Sequence, residues 1–197
     1  MGSDSARPAG TETIRQVIHL LMLSFALLLR VLAWWQAALF ALAAVAPAAV
    51  LNASVRRKDE PRVSGVILYP ASVLVVILIF HKDQLLHIAA GSWAVLAVGD
   101  AASNAFGRRF GSVKLPWNTR KSVVGSAAMF MLSLPAAFFF LWWVAHPDFQ
   151  TGYYLALATA GAFIGTVFES LPIPINDNPA VILSSSLAMY VTRLALT

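Results

Sequence analysis

One aspartate stands out because it interrupts a long apolar run. Asp100 lies in WAVLAVGDAASNAFG, and Asn104 and Arg108 follow it at intervals of four residues. In a helix this spacing places the three side chains on one face. An ionisable group inside an apolar span is costly unless it faces the helix bundle or a wet cavity, so it indicates a functional site. Asp100 is therefore a candidate metal ligand or general base.

A stretch rich in glycine and basic residues follows, from 107 to 121, and it predicts a loop. Glycine lets backbone amides approach an anion, and Arg or Lys neutralises phosphate charge. The Lys121-Ser122 pair lacks the preceding glycines of a Walker A motif, and the stretch lacks the glycine order of protein kinases. The composition predicts phosphate binding by a different kind of loop.

A second acidic residue lies at the end of a later apolar run. Gly161, Gly165 and Glu169 are spaced four residues apart and share one helical stripe. Two glycines at this spacing are typical of close helix packing. Packing does not explain the carboxylate of Glu169, which is therefore a second candidate.

Polar residues also lie near both ends of the chain. Asp177 and Asn178 belong to PINDNP, which alone is ordinary turn chemistry. Arg15 and His19 share a helix face in RQVIH, where a lone histidine is more often structural than catalytic. These residues gain interest only if they meet the other polar groups.

The elements that must position these residues are membrane helices. The 197-residue chain is 59% hydrophobic and only 12% charged, and continuous apolar runs argue against a β-barrel. The absence of cysteine excludes disulfides and thiolate chemistry. We predict an all-α polytopic membrane protein with a disordered tail (1–11) and a single transmembrane domain (12–197). About seven spans are expected, at 14–33, 34–51, 64–81, 84–106, 122–145, 152–170 and 180–196, although the weak first break leaves six open.

The basic residues predict how these spans are oriented. With seven spans, eleven of the fourteen Lys and Arg residues fall on one side, and Arg30, Lys82 and Arg193 fall on the other. The positive-inside rule then places the N-terminus and both basic loops in the cytoplasm. The net charge of +5 is thus explained by a membrane, with no nucleic-acid partner. All the candidate polar groups map to this cytoplasmic face.

The combined residue types suit phosphoryl transfer. Carboxylate and amide oxygens without cysteine favour a hard cation such as Mg²⁺. A metal, a phosphate clamp and a carboxylate are the parts that phosphoryl transfer needs, because positioning and charge stabilisation dominate that reaction. We expect a lipid alcohol as the acceptor and a water-soluble donor from the cytoplasm.

The motif GDAASNAFGRRFG…KSVVGS resembles the signature of the phytol kinase, dolichol kinase and CTP-dependent diacylglycerol kinase family. These are small polytopic enzymes related to phosphatidate cytidylyltransferases. RQVIH resembles the family's Arg-Lys-x-x-His start, SGVILYP its Gly…Tyr-Pro stretch, and ESLPIPINDNPAV its Glu…Asp-Asn ending. The chain departs from the pattern at Gln16 and at Asn178-Pro179, which leaves the substrate subclass open.

The resemblance implies CTP-dependent, Mg²⁺-requiring phosphorylation of an isoprenoid alcohol or diacylglycerol at the cytoplasmic face, in the inner membrane if the source is bacterial. It implies catalytic roles for Asp100, Glu169 and Lys121, with either carboxylate as the base. Asp100, Asn104 and Asp177 would bind the metal, the last two alternatively the ribose. Further site residues are Arg15, His19 and Asn178. The triphosphate would be held by Gly107, Arg108, Arg109, Gly111, Lys114, Lys121, Ser122 and Gly125.

Two alternatives differ in class. A cytidylyltransferase would also use CTP and Mg²⁺, but its usual C-terminal signature with Lys-Asp and paired aspartates is missing. A transporter or structural subunit would favour polar groups near the midplane and duplicated halves, and neither pattern is visible. A homodimer is left open.

Overall fold

The computed structural model describes residues 17–55, 65–82, 85–145, 150–173 and 176–197. Arg15 and the predicted disordered tail lie outside these residues. Within them the chain forms seven helical segments and one short hairpin. The helices are α1 (Val17–Arg30), α2 (Trp34–Val55), α3 (Gly65–Ile79), α4 (Leu86–Phe110), α5 (Val123–Ala145), α6 (Thr151–Ser170) and α7 (Asn178–Leu196). The strands are β1 (Lys114–Leu115) and β2 (Asn118–Ser122).

The apolar runs of the sequence account for the helices. Each predicted span coincides with one helix to within a few residues, because polar or turn-forming residues bound each run. Among the described residues, three helices, α5, α6 and α7, are long and apolar enough to cross a membrane by length and composition. Helices α1 and α3 and the Trp34–Val50 part of α2 are apolar but shorter. Large apolar side chains such as Met131, Phe163 and Leu187 are exposed on the outer surface, as expected for a protein surrounded by lipid. The chain is an all-α membrane protein.

Helix α4 runs through the middle of the bundle. It contacts α1, α3, α5, α6 and α7, and Ala90, Ala94 and Val95 on it are fully buried. Because neighbours surround α4, its polar residues Ser92 and Ser103 face protein rather than lipid. This central position lets α4 present Asp100 and Ser103 to several helices at once.

The two glycines of α6 confirm their predicted packing role. A Cβ at Gly161 would overlap Met189 of α7, and a Cβ at Gly165 would overlap Ser185 of α7 and Val95 of α4. Their lack of side chains therefore allows α6 to approach both neighbours closely. This close packing also determines the position of the next turn of α6, which carries Glu169.

The predicted loop over 107–121 is wrong in two respects. Gly107, Arg108 and Arg109 belong to the last turn of α4, which ends at Phe110. The rest of the stretch largely forms the β1–β2 hairpin, which is antiparallel and pairs Lys114 with Ser122. The helix continues through Gly107 because that residue packs against Gly125 at the start of α5. Tertiary contact thus outweighs the low helix propensity of glycine.

The hairpin is fixed against the end of α6. The side-chain amide of Asn118 donates hydrogen bonds to the carbonyl oxygens of Ser170 and Leu171, at 3.1 and 3.2 Å. These bonds satisfy carbonyls that the last turn of a helix leaves without partners. They hold β2, and with it Lys121, beside Glu169.

Candidate active site

A charge network around buried Glu169 joins four separate elements, and we call it the Glu169 cluster: Ser103, Lys121, Glu169 and Asp177. Oε1 of Glu169 accepts hydrogen bonds from Lys121 Nζ and from Ser103 Oγ, both at 2.6 Å. The same Lys121 Nζ donates to Asp177 Oδ2 at 2.9 Å. Glu169 is only 2% exposed, and it lies at the C-terminal end of α6, where the helix dipole disfavours a negative charge. Lys121 offsets both penalties.

The charge state of Lys121 follows from its surroundings. Burial disfavours the charged form, but the carboxylates of Asp177 and Glu169 outweigh burial, so the pKa of Lys121 is raised above its ordinary value. Lys121 therefore remains an ammonium group throughout the physiological range. A permanently charged lysine can neutralise carboxylates or phosphate, but it cannot accept a proton.

A second group of residues, the Asp100 cluster, consists of His19, Tyr69, Trp93, Asp100 and Asn104. Asn104 Nδ2 donates hydrogen bonds to the Asp100 carbonyl oxygen at 2.9 Å and to Asp100 Oδ1 at 2.8 Å. His19 Nδ1 lies 3.8 Å from Asp100 Oδ2. The Asp100 side chain is 20% exposed, so it is more accessible than Glu169.

Two aromatic residues position His19. The rings of His19 and Tyr69 stack at 3.9 Å, and the Tyr69 hydroxyl donates to the His19 carbonyl oxygen at 3.1 Å. Trp93 Nε1 donates to the same hydroxyl at 2.7 Å. Helices α1, α3 and α4 are thereby joined next to Asp100. Tyr69 lies in SGVILYP and Trp93 begins the stretch quoted around Asp100, but sequence reasoning assigned neither residue a role.

The shared face of α4 is confirmed. Asn104 contacts Asp100, and Arg108 Nε donates to the Asn104 carbonyl oxygen at 3.1 Å. Arg108 and Arg109 are exposed at the end of α4, and Lys114 is exposed on β1. These three cations therefore border the region where the two clusters lie.

The glycines that were predicted to bind phosphate lie around the hydroxyl of Ser122. Ser122 is 4% exposed, and its Oγ accepts a hydrogen bond from the Gly125 amide at 3.1 Å. A Cβ added to Gly107, Gly111 or Gly125 would crowd this hydroxyl. The contacts show these glycines packing α4, the hairpin and α5 together. Whether they also bind a triphosphate stays a prediction.

Asn178 has a different position from the one expected. It is the first residue of α7 rather than part of a turn, and it is 3% exposed. Its Nδ2 donates to the Gly65 carbonyl oxygen at 3.2 Å, which ties the start of α7 to the start of α3. Asp177, directly before it, is thereby held near Lys121.

The predicted metal ligands divide between the two clusters. Asp100 and Asn104 lie in one, and Asp177 lies in the other, paired with Lys121. Among the residues that the structure describes, no group of three or more His, Cys, Asp or Glu side chains could hold a metal ion. The donor set that fits Mg²⁺ best is the Asp100 carboxylate with the Asn104 amide oxygen, because hard oxygen ligands and water suit this ion.

Ser103 was missed by sequence reasoning, although it joins the clusters through α4. It lies three residues after Asp100 and directly before Asn104, and it bonds Glu169 from 66 positions away. Its spacing from Asp100 could have indicated a shared face, but its partner could not be read from local sequence.

The chain is similar to several plant kinases. It is 33% identical over 139 residues to a probable chloroplastic phytol kinase of Triticum aestivum, covering 68% of this chain and 45% of that protein. It is 31% identical over 157 residues to chloroplastic phytol kinase 1 of Arabidopsis thaliana, covering 75% and 50%. A chloroplastic farnesol kinase of Arabidopsis thaliana is 30% identical over 138 residues, covering 64% and 42%.

The chain spans about half the length of the curated relatives it matches. No protein-family model matches the chain, and no solved structure matches it significantly.

Proposed function

We propose that this homologue of the plant phytol kinases transfers a phosphoryl group to an isoprenoid alcohol. The observation that carries the proposal is the accessible carboxylate of Asp100 on the central helix, near a second carboxylate that is paired with Lys121 and near three exposed cations. The homologues named phytol kinase and farnesol kinase support the alcohol class. CTP is the expected donor, from the resemblance of the central motif.

The roles of the two carboxylates can be assigned by their surroundings. Glu169 Oε1 is held by Lys121 and Ser103, so the charge of Glu169 is already compensated. Asp100 is more accessible and is contacted by an amide and an imidazole. We assign the base to Asp100, which makes Glu169 a positioning residue for Lys121.

The proposed reaction forms a bond between the alcohol oxygen and the γ-phosphorus of the donor. The bond between that phosphorus and the bridging oxygen breaks, so a nucleoside diphosphate leaves. The alcohol proton passes to the Asp100 carboxylate. A Mg²⁺ ion held at Asn104, beside Asp100, would supply charge neutralisation for the triphosphate.

The basic residues are assigned to the donor. Arg108, Arg109 and Lys114 are exposed where the described helices α4 and α5 are connected, and cations at such a site stabilise the charge of a triphosphate. With the predicted orientation, this end of the bundle faces the cytoplasm. A soluble donor then arrives from water, and a lipid acceptor arrives from the bilayer.

The test is a transfer assay with the purified protein in lipid nanodiscs. Labelled CTP and Mg²⁺ are supplied with phytol, farnesol, a polyprenol or diacylglycerol, and ATP, GTP and UTP replace CTP in parallel. We expect an isoprenoid monophosphate and CDP as products. The absence of transfer to every alcohol would contradict the kinase proposal. In a parallel reaction with a lipid monophosphate as acceptor, a CDP-lipid with released pyrophosphate would identify a cytidylyltransferase instead.

A further inference from the structure

An apolar cavity of about 230 Å³ lies among the first four helices. Its walls come from α1, α2, α3 and α4, and nearly all of the lining atoms are apolar. The lining residues that matter for the argument are Met22, Leu29, Ala41, Val73, Ile77 and Trp93.

Three of the four helices carry both a cavity wall and a residue of the Asp100 cluster. On α1 the lining Met22 follows His19 by three residues, and on α3 the lining Val73 follows Tyr69 by four. Such spacings keep two side chains on one helix face. The cavity therefore begins about one helical turn from these two polar residues, or roughly 4.5–6 Å along each axis.

The central helix repeats this arrangement. On α4 the lining Trp93 precedes Asp100 by seven residues, which is about two turns or roughly 10 Å on the same face. Trp93 also donates to the Tyr69 hydroxyl at 2.7 Å, and the ring of Tyr69 stacks against His19 at 3.9 Å. The wall of the cavity is thus continuous with the residues that surround Asp100.

We propose that this cavity binds the hydrocarbon chain of the alcohol substrate while its hydroxyl lies at Asp100. The inference rests on the proposed function and adds where the acceptor binds. An apolar wall that leads from the base into the bundle suits an isoprenoid chain, because burial of each methylene group removes apolar surface from water and favours binding. The cavity and the Asp100 cluster together match an amphiphile with one polar end.

The size of the cavity sets the length of chain that it recognises. A protein cavity of about 150 Å³ holds benzene, so about 230 Å³ has room for roughly nine carbons. The first isoprene unit bridges the distance from Asp100 to the cavity. Recognition should therefore strengthen up to about three isoprene units, and further carbons should add little.

The test fills the cavity from its wall on α2. Ala41→Phe places an aromatic ring in the space, and the matched control Ala43→Phe adds the same ring on the exposed side of α2. For Ala41→Phe we expect at least a tenfold rise in the KM for farnesol, with an unchanged KM for the nucleotide. Turnover of a five-carbon prenyl alcohol should change little, and the control should match the unsubstituted protein. Equal farnesol KM values for the two variants would overturn the assignment.

A binding measurement on the unsubstituted protein tests whether the cavity binds the hydrocarbon chain even if Ala41→Phe does not fold. A photoreactive farnesol analogue should label peptides of α1, α2 or α3, and free farnesol should displace it. Labelling confined to the outer faces of α5–α7, or displacement by phospholipid but not by farnesol, would overturn the proposal. Absence of phosphate transfer with displaceable cavity labelling would sink the proposed function alone. Transfer without such labelling would sink this inference alone.

Discussion

The Asp100 cluster and the Glu169 cluster use the same central helix but balance their charges differently. In the Glu169 cluster two carboxylates share one ammonium, and Glu169 is 2% exposed. In the Asp100 cluster a single carboxylate, 20% exposed, meets an amide and an imidazole 3.8 Å away. Ser103 and Asp100, three positions apart on α4, connect the helix to one cluster each.

The difference indicates a structural role for the Glu169 cluster and a chemical role for the Asp100 cluster. A buried carboxylate with an ammonium partner holds the two elements together, since loss of that partner would leave an uncompensated buried charge. A carboxylate that is hydrogen-bonded to an amide and partly open to solvent is accessible to a substrate proton or a metal. Each prediction below changes one cluster and asks whether the other responds.

Asp100→Asn should have the largest effect, and the effect should be on catalysis. Removal of a general base lowers turnover by about 10²–10⁴-fold, whereas the amide oxygen of the new residue can still accept the bond from Asn104. We expect kcat in the transfer assay to fall within that range and the midpoint of thermal unfolding in detergent to stay nearly constant. If activity survives, Asp100 is a packing residue and the contrast between the clusters disappears.

Lys121→Met should have its main effect on stability. It leaves buried Glu169 without its cation, and breaking a buried ion pair in this way costs about 3–5 kcal/mol. The free energy of unfolding, measured by denaturant titration in micelles, should fall by that amount. Lys114→Met is the matched control, because Lys114 is exposed, and it should change the free energy by less than about 0.5 kcal/mol. Similar losses of unfolding free energy for the two variants would show that the Lys121–Glu169 ion pair does not stabilise the fold.

The smallest effect concerns the pH dependence of the stability that the Lys121 ion pairs contribute. Folding raises the pKa of Lys121. Its contribution to the free energy of unfolding is therefore fully present below the ordinary lysine pKa of 10.5, and it is lost as pH rises through the higher pKa of the folded state. The stability difference between the unsubstituted protein and Lys121→Met should therefore be constant from pH 7 to about pH 10 and should shrink above it. Paired unfolding curves across this range check the expectation, and a difference that already shrinks near pH 8 would contradict it.

The helices could be predicted from the sequence because they depend on local patterns. Apolar runs bounded by charged or turn-forming residues predicted each helix, and the spacing of Asp100, Asn104 and Arg108 predicted their common face. The packing of Gly161 and Gly165 was predictable for the same reason. Each of these features lies within a few turns of one helix.

The features that were missed depend on contacts between distant positions. The hairpin is short, and its placement depends on Asn118 binding the end of α6 more than fifty residues away. The helical conformation of Gly107 depends on Gly125. The pairing of Lys121 with both Glu169 and Asp177 joins three elements, so no local pattern specified it.

The order of residues in the Glu169 cluster has a consequence for biogenesis. Lys121 precedes Glu169 by 48 positions and Asp177 by 56, so a ribosome completes the hairpin well before it makes either carboxylate. Until those residues have been made, the ammonium of Lys121 has neither of these partners. The contacts of Lys121 with both carboxylates can therefore form only after α6 and the segment before α7 have been made.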